Sequence, residues 1–92
     1  MRESKVEQSV IVWCVSKGVY TRKFASPAHR GVPDRFFAKN GHACFLEFKA
    51  PRKKPTDLQL RELAMLTDHG VPASWTDNYH EAVAFLRRSL WI

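Results

Sequence analysis

No apolar run in this sequence approaches the roughly 18 residues that a membrane-spanning helix needs. Its opening residues, MRESKVEQ, lack the charged-then-apolar layout of a secretory signal peptide. Only two cysteines are present, Cys14 and Cys44, both inside apolar runs and without C-x-x-C spacing. The histidines, His29, His42, His69 and His80, are scattered without zinc-ligand spacing and read as surface or loop residues. A zinc centre is thereby excluded as the organising feature. Buried free thiols in a reducing cytoplasm are the expectation instead. There is no Ser or Cys triad pattern, internal repeat, low-complexity tract or linker. These absences leave a small single domain spanning residues 1–92, with no membrane role.

What is present is positive charge and apolar bulk. Fifteen Lys and Arg oppose 9 Asp and Glu, a net charge of +6. Such a balance favours a polyanionic partner, most often nucleic acid. An apolar content of 45% with 12% aromatics belongs to a folded chain. A chain this short buries a smaller share of its surface than a larger one, so pairing into a homodimer is a natural supplement. The apolar terminus SLWI suits either the core or a dimer interface built from parts of the terminal helices.

The pattern predicts the order αβββαβα, a small α/β sandwich. Val6, Val10, Trp13 and Lys17 mark a helix over Glu3–Lys17 that Gly18 stops. Val19–Ala25 has strand character, and Ser26–Pro33 is a loop. Asp34–Lys39 and His42–Lys49 flank Asn40-Gly41, a hairpin signal suited to a turn with two positive-φ residues. Thr56 to Gln59 matches a capping box for a helix running to His69, closed by Gly70. Val71–Thr76 reads as a short strand, and Asp77 or Asn78 caps a last helix through Leu90. Trp13, Trp75 and Phe85 are expected in the core. Strand three, ACFLEFK, is apolar on both faces, so it is expected to be central and covered on both sides.

That strand also carries an acid, Glu47. Stepping outward from Lys39 opposite His42 places Phe36 opposite Phe45 and Asp34 opposite Glu47. Lys49, two residues on, shares their face. Facing acids are destabilising, and an unpaired acid in an apolar strand is costly. Protonation of one carboxyl, neutralisation by a lysine, or a divalent cation between them each relieves the pair. Hard oxygen ligands of this kind suit Mg²⁺ or Mn²⁺. The bland alternative is a surface hairpin with a salt bridge to Lys49.

Asp34 followed by Glu47-Phe48-Lys49, with Pro33 before Asp34, resembles the PD-(D/E)xK nuclease signature. The surrounding stretches KFASPAHRGVPDRF and FLEFKAPRKKPTDLQ, with an acid in SKVEQ, resemble the virus-type replication-repair nuclease (VRR-NUC) family. The resemblance implies a restriction-endonuclease-like sandwich with a mixed central sheet flanked by helices. It implies metal ligation by Asp34, Glu47 and the backbone carbonyl of Phe48. Lys49 would be the catalytic lysine, Glu7 a helix acid acting on the metal through water, and Gln59 a residue reaching back to the site. It further implies a homodimeric, Mg²⁺- or Mn²⁺-dependent endonuclease acting on branched DNA, such as four-way (Holliday) junctions or flaps. The setting would be the cytoplasm of a bacterial or phage-infected cell.

Spacing alone does not choose between Glu3 and Glu7, which are four apart on one helix face; Glu7 lies nearer the apolar stripe. Gln59 is equally readable as a cap residue. Lys23, His29, Arg30 and Arg35 near Asp34, and Arg52, Lys53 and Lys54 after Glu47, are candidate phosphate contacts. Arg87 and Arg88 read as an exposed helix face. The competing function is a non-catalytic DNA-binding module retaining a nuclease fold. The third reading is a structural protein with salt-bridged hairpin acids.

Overall fold

The computed structural model describes residues 3–92, with side chains from residue 4 onward. The order is α1 (Glu3–Lys17), β1 (Tyr20–Lys23), β2 (Arg35–Lys39), β3 (His42–Phe48), α2 (Asp57–Asp68), β4 (Ala73–Thr76) and α3 (Tyr79–Leu90). This is the αβββαβα order that the pattern predicts. Among the described residues no helix is long and apolar enough to cross a membrane.

The four strands lie side by side as β1-β2-β3-β4. The first two pairings are antiparallel and β3–β4 is parallel, so the sheet is mixed. The hairpin closes where expected: Lys39 faces His42 and Phe36 faces Phe45. Asn40 and Gly41 have φ of 50° and 86°, the positive values that a two-residue turn of this hand requires.

Each strand is trimmed relative to the apolar pattern, and β1 and β4 start late because the preceding helices take their first amides. The Val19 amide donates to Cys14 and closes α1, so β1 begins at Tyr20. The Val71 amide donates to Leu66 and closes α2, and β4 begins after Pro72. The capping box of α2 forms as read: Thr56 accepts from the Gln59 amide and Gln59 accepts from the Thr56 amide. For α3 the cap is Asn78, not Asp77, with the Asn78 side chain accepting from the Glu81 amide.

One face of the sheet packs against α1 and α3. Phe37, Cys44, Leu46 and Phe48 meet Val6, Val10, Trp13 and Cys14 from α1 and Ala82, Phe85, Leu86 and Leu90 from α3. The two thiols are buried and free. Burial pushes Cys14 up to about 11 and Cys44 up to about 12, so neither is a thiolate near neutral pH. The four histidines are all exposed.

The opposite face is covered less completely than the two-sided apolarity of β3 suggests. It carries α2, whose Gln59 bonds Glu47 and whose Leu63 is buried. Phe45 and Ala43 beyond the helix remain half-buried. Trp75 faces this side opposite Glu47 and is also half-buried, so it is not core. The chain end divides its work. Leu90 is buried and Ile92 packs at the core edge, while Trp91 is 79% exposed and stacks on His42.

Candidate active site

Two acids and a lysine meet at the C-terminal end of β3. Glu47 enters because the alternation of β3 turns it away from α1 and α3 and beneath α2; it is only 3% exposed. Its Oε2 accepts from Gln59 Nε2 at 3.1 Å and lies 3.4 Å from Lys49 Nζ. Its Oε1 is buried without a hydrogen-bond partner. An orphaned carboxylate oxygen in a dry setting is costly, and native structures hold few of them.

Asp34 arrives from the other side. Pro33 before it is fully buried. The last ladder pair is Arg35–Leu46, so Asp34 sits one step past the regular strand. Its carbonyl accepts from the Phe24 amide at 2.7 Å, and its Oδ2 accepts from the Phe48 amide at 3.1 Å. The side chain thus fastens the start of β2 across β3, close enough for its charge to act on Glu47.

Burial and, second, the Asp34 charge raise the Glu47 carboxyl to about 7, with Lys49 working against them. Between pH 4.5, the ordinary value, and about 7, the folded chain therefore holds a proton that the unfolded chain has released. Stability falls as pH rises through that window. Glu47→Gln is expected to be more stable than wild type at pH 8 without metal, by on the order of 2 kcal/mol, and equal to it at pH 4. Chemical denaturation at the two pH values in EDTA checks this. A wild type whose stability is flat from pH 4 to 8 would sink it.

Gln59 resolves as both of its readings at once. Its Oε1 closes the capping box while its Nε2 holds Glu47. Lys49 is largely covered, with its side chain 17% exposed. Its amide donates to Thr76 at 2.8 Å, which ties the strand end to β4.

Glu7 is placed elsewhere. It is buried, and its Oε2 accepts from Arg35 Nε at 2.8 Å, with Lys23 Nζ at 3.3 Å. Register puts Lys23 and Arg35 on the α1 side of the sheet, opposite to Glu47. Arg35, expected among the phosphate contacts, is thus a buried partner of Glu7. Lys23 shares that carboxylate, though its own side chain is 71% exposed. The side chain of Glu3, the alternative to Glu7, lies outside the described residues.

His29 and Arg30 are exposed in the loop before Asp34, and Arg52, Lys53 and Lys54 are exposed after Lys49. Their turn has a fastening that sequence reading missed. Arg52 has φ of 67°, and its amide donates to Asp77 Oδ2 at 3.0 Å. Asp77 is held below its ordinary value by that amide first and by the Asn78 side chain second. In the sequence Asp77 is legible only as a helix cap, because its partner is 25 residues away.

Among the described residues, no group of three or more His, Cys, Asp and Glu side chains is placed to hold a metal ion. Two carboxylates, a neighbouring backbone carbonyl and water nevertheless suffice for Mg²⁺, which usually takes one or two carboxylates and keeps several waters. The unpartnered Glu47 oxygen beside Asp34 fits such an ion.

No protein-family model matches the chain. A curated protein from Acyrthosiphon pisum secondary endosymbiont phage 1, named "Putative nuclease p44", is 46% identical over 67 residues, covering 72% of this chain and 72% of that protein.

Proposed function

This chain belongs to the family of that phage protein, and from this premise we propose that it is a metal-dependent DNA endonuclease of the VRR-NUC type, cutting phosphodiester bonds in branched DNA. The observation that carries the reading is the buried, half-satisfied Glu47 carboxylate, with Asp34 and Lys49 beside it. A structural salt bridge alone leaves Glu47 Oε1 unexplained.

Asp34, Glu47 and the Phe48 carbonyl would hold Mg²⁺ or Mn²⁺. A bound ion of this kind supplies a nucleophilic water near neutral pH and Lewis-acid stabilisation of phosphate oxygen. The protein's own groups do the rest. Gln59 keeps one Glu47 oxygen occupied and so directs the other. Lys49 holds its ammonium within 3.4 Å of Glu47, where it orients a water and opposes charge building on phosphate. Glu7 enters through Arg35, which it pins next to Asp34 in the chain. Arg52, Lys53 and Lys54, on the turn that follows Lys49, and His29 and Arg30, on the loop before Asp34, neutralise flanking phosphates.

A pair of copies about a two-fold axis suits a four-way junction. Val12 and Val15 on α1 and Trp91 after α3 are exposed apolar side chains that serve such a pairing.

The test is cleavage of linear, splayed, flap and four-way DNA with Mg²⁺, Mn²⁺ or EDTA. Cutting of branched substrates with metal, and none in EDTA, is expected. Inactivity on every substrate with metal overturns the nuclease reading, and DNA binding by that inactive protein favours the non-catalytic module.

A further inference from the structure

The face of the sheet that carries Glu47 continues, past α2, into an uncovered aromatic surface. By register Tyr20, Arg22 and Phe36 share this face with Phe45, Asp34 and Glu47. The rings touch in sequence. Tyr20 lies 6.3 Å from Phe36, Phe36 lies 5.3 Å from Phe45, and Phe45 lies 5.0 Å from Phe24. Tyr20 is 51% and Phe24 40% exposed. The Arg22 guanidinium sits 4.5 Å over the Tyr20 ring. Beyond Tyr20, toward the hairpin turn, lies a shallow concavity of about 530 Å³ lined by Ala38, Lys39 and Ala43.

The acids that β2 and β3 bring to this face are those of the site itself, Asp34 and Glu47. No Asp or Glu occurs between Glu7 and Asp34, or between Asp34 and Glu47. Of the cations on β1 and β2, Lys23 and Arg35 face Glu7 across the sheet, and Lys39, of the same parity as Arg35, reaches the Gly18 carbonyl at 3.5 Å, which leaves Arg22 on the platform. Rings covered at one end by a guanidinium with no acid partner match a strand that offers both π-faces and phosphates. A duplex hides the faces of its bases, whereas an unpaired strand presents them. A second copy docked face to face would bring Arg22 against its own duplicate.

We propose that the outer face of β1–β3, centred on Tyr20, Phe36, Phe45 and Phe24, stacks the unpaired bases of a nucleic-acid strand leading to the Asp34–Glu47 site. The proposal rests on the nuclease reading for its chemistry and specifies the substrate as one with single-stranded character next to the scissile phosphate.

Binding in EDTA tests it without cleavage. Fluorescence anisotropy compares a labelled oligothymidylate with an abasic strand of equal length and charge. The wild type is expected to prefer the base-bearing strand by about tenfold. Tyr20→Ala and Phe24→Ala, both at exposed positions, are expected to lose most of that preference while binding the abasic strand unchanged. Arg88→Ala, on the exposed face of α3, is expected to keep it. Equal affinity for the two strands, no binding to either, or a preference untouched by both ring variants overturns the platform. So does a dimer, seen by sedimentation, that Tyr20→Ala splits. Failure of the nuclease reading is separately visible as a wild type that keeps the base preference yet cuts nothing with metal.

Discussion

Asp34→Asn and Lys49→Ala should each lower the rate of DNA cleavage by at least about a thousandfold, while binding DNA in EDTA within a few-fold of wild type. The first change is nearly isosteric. Its amide oxygen still accepts from the Phe48 amide, so the fastening between β2 and β3 survives. What disappears is one negative charge beside Glu47, and with it one ligand of the proposed cation. The second change acts oppositely on the same carboxylate. Lys49 lowers the Glu47 pKa, so its loss raises it further and moves the onset of metal binding to higher pH. Residual Lys49→Ala activity should therefore recover in part at alkaline pH, and residual Asp34→Asn activity should not. Single-turnover rates from pH 6 to 9 with Mn²⁺ measure both. Full activity in either variant refutes the site.

The second large effect is on stability. Glu7→Ala leaves the Arg35 guanidinium buried without its carboxylate, and breaking a buried pair from one side costs about 3 kcal/mol or more. For a domain of this size that is a fall in Tm of roughly 15 °C. Lys23 adds little, since its end of the bridge is solvated. Replacing both partners, as in Glu7→Leu with Arg35→Met, should restore most of the loss, because no buried charge is then stranded. Thermal unfolding in EDTA decides it. An unchanged Tm for Glu7→Ala, combined with lost cleavage, would return Glu7 to the metal.

These outcomes bear on what the sequence disclosed. The hairpin register is legible because Asn40-Gly41 fixes the turn and a period of two does the rest. From the turn and the alternation the meeting of Asp34, Glu47 and Lys49 follows. Glu7 was legible as an inward-facing acid, but not for what it faces. Arg35, 28 residues away, looked like one more cation near Asp34, and only the packing of α1 on the sheet shows it buried. Strand ends were misjudged at Val19 and Val71 because their amides serve the preceding helices, a competition that apolar pattern does not encode. The two-sided apolarity of β3 was read as two-sided cover. One helix covers part of that second face, and of the aromatic remainder Tyr20 and Phe24 are exposed while Phe36 and Phe45 are half-buried.

The double engagement of Gln59 explains a choice of residue. A capping box accepts Glu or Gln at its third helical position with little preference. Here the side chain spends its oxygen on the Thr56 amide and its nitrogen on Glu47. A glutamate would still cap the helix, but it would place a third carboxylate against an acid already reluctant to ionise. The start of α2 and the ionisation of Glu47 are thereby one variable: whatever loosens the first turn of that helix also releases the carboxylate oxygen it restrains.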